Sequence, residues 1–145
     1  MAITQAVANS FKKQLLEGKH DFQATSGSVF KMALYTSAAT LSSATTVYAT
    51  TNEVGNTGTY VTGGGTLVNI DPFVSSGVAC VDFADLSFTG VTLTARGALI
   101  YNTSQSNAAV CVLDFGADKT ATSGTFTIQF PAATTSAAIL RIGNA

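Results

Sequence analysis

Apolar side chains recur every four residues at the start of the chain, at Ile3, Val7, Phe11 and Leu15, with Ala8 and Leu16 widening the stripe. That spacing predicts an amphipathic helix. Thr4 stands where it could cap the N-terminal end and Gly18 where a helix would stop, while Glu17 lies near the wrong pole of the helix dipole. A helix of this length is marginal alone. Burying its main apolar side chains contributes roughly 1.5–3 kcal/mol each, so it must dock on something. Its own sheet is the expected seat, and a neighbouring subunit is the alternative.

From Val29 the period changes to alternation and the chain reads as strands. Residues 29–36 form the first. A Ser/Thr/Ala/Gly-rich stretch over 37–65 follows, with short strand candidates only near Tyr48 and Tyr60. A loop region this long is expected to be functional or ordered by a partner. Gly63, Gly64 and Gly65 read as a flexible turn, lacking the Lys-Ser/Thr of a phosphate loop. Strands are predicted beyond them at 66–74, 78–83, 86–88, 91–101, 108–115, 124–130 and 137–142, with Pro72 and Pro131 at strand ends or edges. Many short strands, one helix and no βαβ alternation predict a mainly β fold, a β-sandwich or jelly-roll-like domain with one N-terminal amphipathic α-helix. Residues 1–20 read as a helical arm and 21–145 as a single sandwich domain. The expected core is Phe30, Leu34, Val81, Phe83, Leu99, Leu113, Phe126 and Phe130.

Composition changes the picture of the surface. Charged residues make up 10% of the chain, against about 25% in an ordinary soluble domain. Ser, Thr, Ala and Gly must supply the cover. Hydroxyls and methyls desolvate cheaply where ions do not, so such a surface suits protein contact, although polar outer faces of strands would produce the same bias. Seven basic against eight acidic residues leave no track for a phosphate backbone, so nucleic acid is not an expected partner. No apolar run is long enough for a membrane span, and the start lacks the basic-then-apolar order of a secretory signal, so a cytoplasmic origin is expected.

Candidate chemistry is sparse. Asp82, Asp85, Asp114 and Asp118 are the acidic cluster that could hold a cation or act as a glycosidase pair, but aspartates at strand ends more often cap turns. His20 is the only histidine; it follows Gly18-Lys19 and reads as an exposed linker residue. Cys80 and Cys111 are expected as free thiols on different faces. Arg96, interrupting an apolar strand, is expected to pair with an aspartate or reach an interface. Tyr35, Tyr48, Tyr60 and Tyr101 could line a sugar surface but fit core or interface anchors better. These residues predict no catalytic site, cofactor or metal, and the remote alternative is a carbohydrate-active sandwich enzyme.

The segments MAITQAVANSF, FKMALYTSAATL, TTNEV, TARGALIYN, LDFGADKT and GTFTIQFP, in this order, resemble small virion proteins of tailed bacteriophages. The resemblance implies a non-enzymatic structural protein of the virion, of a kind that often decorates or cements the capsid as trimers or dimers against the major capsid protein. A tail, baseplate or fibre component with a receptor-binding role is the alternative. Ile3, Val7, Phe11, Leu15, Tyr48, Tyr60 and Arg96 are then the expected contact residues.

Overall fold

A computed structural model describes residues 2–143; positions 1, 144 and 145 of the expected arm and domain lie outside the described residues. The fold is mainly β, with two antiparallel sheets and one helix near the N-terminus. Five strands form the larger sheet in the order β1 (Ala6–Val7), β7 (Ala108–Ile128), β6 (Leu86–Asn102), β2 (Phe30–Tyr35), β3 (Gly65–Thr66). The smaller sheet has the order β4 (Asn69–Ser75), β5 (Val78–Phe83), β8 (Leu140–Ile142).

Two long strands dominate. The segments 86–88 and 91–101 form one strand, because Gly90, at φ 61°, is absorbed as an irregularity between Phe88 and Val91 instead of ending it. Likewise 108–115 and the expected 124–130, which ends at Ile128, belong to β7, which takes up residues 115–118 as a bulge where pairing passes from Gly97–Asp114 to Ala95–Lys119. Along the outer half of this hairpin Phe88, Val91, Leu93 and Ala95 are buried and the residues between them are exposed. The outward hydroxyls pair across the strands, Ser87 with Thr127 and Thr94 with Thr120, each at 2.9 Å.

The helix α1 (Asn9–Leu16) is shorter than its periodicity predicts. Thr4 does not cap it; Ala8 stands at the cap and offers no side-chain hydrogen bond. Residues 3–9 are drawn instead into backbone pairing, with Ala6 and Val7 against β7, Thr4 N–H donating to Leu41 O at 2.9 Å and Asn9 N–H to Ser43 O at 2.8 Å. For so short a segment these tertiary hydrogen bonds outweigh a marginal helix. They also cover the β1 edge of the sheet. The helix does seat on its own domain: Phe11 is buried in the core.

Aromatic rings join the two sheets. Phe22 stacks on Phe30 at 4.5 Å between centroids, and Phe83 of β5 meets Phe30 of β2 at 5.7 Å and Phe130 at 5.7 Å. Phe30, Leu34, Phe83, Leu99 and Phe126 are buried as expected, with Val81, Leu113 and Phe130 half-buried against them. Pro72 falls on the edge strand β4 at its break in register, where a missing N–H costs no ladder bond.

Candidate functional site

The 37–65 segment is fastened by its single charged residue, Glu53. Backbone bonds from Thr36 N–H to Asn52 O (3.0 Å) and from Val54 N–H to Leu34 O (2.9 Å) lay residues 52–54 along β2. The carboxylate then accepts from Tyr48 Oη at 2.6 Å, Tyr60 Oη at 2.8 Å and Gly63 N–H at 2.7 Å. Tyr101 Oη donates to Gly63 O at 2.6 Å and its ring stacks on Tyr48 at 4.5 Å, while Tyr35 Oη donates to Ala49 O at 2.7 Å. All four tyrosines of the chain thus gather around one glutamate. Burial, and then the Glu53 charge, push the Tyr35, Tyr48 and Tyr60 phenols above their ordinary value and Tyr101 up to about 12. Such phenols remain donors and make poor bases. The cluster fits an anchor better than a reaction centre.

The turn at Gly63, Gly64 and Gly65 is held against the sheet, Gly63 by Glu53 and Tyr101 and Gly65 within β3. Gly64, at φ 82°, runs so close to β2 that a Cβ would collide with the Met32 carbonyl. The segment is ordered by contacts within its own chain.

His20 also departs from the expectation. It is buried, not an exposed linker residue, with Nε2 2.9 Å from Gln14 Oε1 on α1 and Nδ1 2.9 Å from Asn102 Nδ2 at the end of β6. Burial, and then Lys19, lower its pKa from the ordinary imidazole value.

Three of the four aspartates accept hydrogen bonds from backbone N–H groups. Asp82 Oδ1 accepts from Phe83 N–H and Asp85 Oδ1 from Phe130 N–H, while Asp118 lies exposed on β7. Among the described residues no three His, Cys, Asp or Glu side chains assemble as a metal site. Asp114 pairs with Arg96, Nε to Oδ1 at 3.2 Å, and closes an Asx turn by accepting from Gly116 N–H at 2.9 Å. The Gly116 bond and then Arg96 hold its carboxyl below the usual range. Cys80 and Cys111 are buried free thiols on different sheets, and burial pushes Cys111 up to about 12.

The candidate contact residues divide. Ile3, Phe11 and Tyr60 are buried within the chain's own core; Val7, Leu15 and Tyr48 are half-buried, and Arg96 is occupied by Asp114. Exposed apolar surface lies elsewhere. Strand register puts Val74, Ala79, Val81, Leu140 and Ile142 on one face of the small sheet. That face packs on the core at Val81 and Leu140 and splays open at Val74 and Ile142, which are 72% and 63% exposed. Between it and α1 lies a groove of about 1000 Å³. Leu16, 91% exposed, forms part of its wall, as do Phe11, Leu15 and His20.

No helix is long and apolar enough to cross a membrane among the described residues. No family model, curated protein or solved structure matches the chain.

Proposed function

We propose that this chain is a structural protein of a tailed-phage virion that decorates or cements the capsid through protein contacts, with no enzymatic role. The carrying observation is the apolar surface left open at the α1 groove, where Leu16 and Ile142 face solvent and Val74 extends the same sheet face, on a chain with 10% charged residues. The phage resemblance of the sequence segments supplies the setting. In this reading the two sheets, joined through Phe30 and Phe83, are a sandwich-type domain. Its exposed groove seats a segment of the major capsid protein or another virion subunit, and symmetric copies, as dimers or trimers, add weak contacts into a strong hold. The accessible surface of 7220 Å² is close to the roughly 7000 Å² typical of a folded monomer of this mass, which favours contact between finished subunits over interwoven ones.

A second reading, a tail, baseplate or fibre component, draws on the Glu53 anchor. A 37–65 segment held rigid in advance, with Val47 and Val61 exposed, suits a surface that meets a receptor. Antibody labelling of intact particles, assembled in the host cytoplasm, separates the two. Label on the head supports decoration, label on the tail supports the second reading, and unlabelled particles overturn both.

A further inference from the structure

Asn102 has its amide orientation fixed from within. Its Oδ1 accepts from Ser104 N–H at 2.9 Å, capping the 3-10 turn Thr103–Gln105, so Nδ2 must face His20. An amide nitrogen only donates. His20 Nδ1, 2.9 Å away, must therefore carry a lone pair, and the ring's one proton sits on Nε2, donating to Gln14 Oε1. The imidazole also packs against Phe11 at 4.7 Å and Phe30 at 6.4 Å between centroids. It thus ties α1, through Gln14 and Phe11, to β2 and the end of β6.

We infer that His20 and Asn102 form an acid-sensitive latch: a second proton on the imidazole sets two N–H groups against each other, releasing α1 and residues 18–22 from the sheet and widening the groove. Asn102 cannot turn to offer its oxygen without abandoning the Ser104 cap. His20 lines the groove, which gives protons a route to it. The charged groups around it give no rescue. Lys19 is adjacent and disfavours a second cation, its own Nζ being held by Glu17 at 2.9 Å; Lys12, Asp21 and Arg141 share the groove wall, and no carboxylate hydrogen-bonds the ring among the described residues. The linkage has one sign. A histidine with its folded pKa lowered contributes stability that is complete above the unfolded value of about 6.5 and is lost as pH falls from there toward the folded value.

Hydrogen exchange on the whole chain tests this, with rates corrected for intrinsic pH dependence. Between about pH 7.5 and about pH 5, amides of α1 and residues 18–22 should lose protection at least tenfold while the paired centre of β6 and β7 stays protected. Nitrogen-15 spectra at the higher pH should report the Nε2-protonated neutral tautomer. Unchanged α1 protection, uniform loss over both long strands, or the opposite tautomer would overturn the latch. In Asn102→Asp the cap survives and an acceptor faces Nδ1, so α1 protection should hold or rise at the lower pH; a fall like that of the unsubstituted chain contradicts the proposal. Should that variant fail to fold, the unsubstituted chain's exchange pattern and tautomer decide the matter.

Discussion

The Tyr60 hydroxyl donates to Glu53 Oε1 at 2.8 Å and accepts from the Leu34 backbone N–H at 2.9 Å. One side chain thereby satisfies a donor of β2 beyond the reach of the two-residue β3, and fixes the carboxylate that gathers the 37–65 segment.

Removing that carboxylate strands the Tyr48 and Tyr60 hydroxyls and the Gly63 N–H. Glu53→Ala should cost about 2–3 kcal/mol in urea unfolding, and Glu53→Gln, which keeps one acceptor, about 1 kcal/mol. A Glu53→Ala chain as stable as the parent would show that the anchor contributes nothing.

Alkali should act on the same cluster. Unfolded phenols lose their protons near pH 10, whereas those of the folded chain hold them to higher pH, so this contribution is complete below about 10 and is lost as pH rises beyond it. Ultraviolet titration should find the tyrosines ionising together with loss of structure. Four independent titrations near the ordinary value, in a chain that stays folded, would contradict the arrangement.

Gly64→Ala tests the close approach to β2. Its Cβ must displace the Met32 carbonyl at a backbone conformation that side chains seldom adopt, so a loss of about 2 kcal/mol or more is expected in thermal or urea unfolding. Gly55→Ala, where a Cβ meets nothing within 4 Å, serves as the control and should unfold like the parent.

Much of the strand pattern was legible because alternation is written into the chain: the segment read as 29–36 is β2 over Phe30–Tyr35, and the one read as 78–83 is β5. What local pattern could not reveal was long-range pairing. Ile3 and Val7 fit a helical stripe and a strand equally well, and only β7 and the Leu41 segment, far along the chain, decide for pairing. His20 misled for the same reason, since its partner Asn102 lies 82 positions away. Glu53 does carry a signal in the sequence: one acidic residue in a long uncharged stretch, with Tyr48 and Tyr60 close on either side. The pattern divides each long strand in two, whereas Gly90 and Gly116, both at positive φ, sit in irregularities of continuous strands.

The proposed contact surface is tested most directly by counting copies of the chain retained on purified particles when Leu16 and Ile142 are both changed to Asp. Both side chains face solvent in the free chain, so thermal stability should stay within about 1 kcal/mol of the parent. Two carboxylates in an apolar seat must be desolvated on contact, and occupancy should fall at least about tenfold. Retention of the parental number of copies by a stably folded double variant would contradict a role for this groove in assembly.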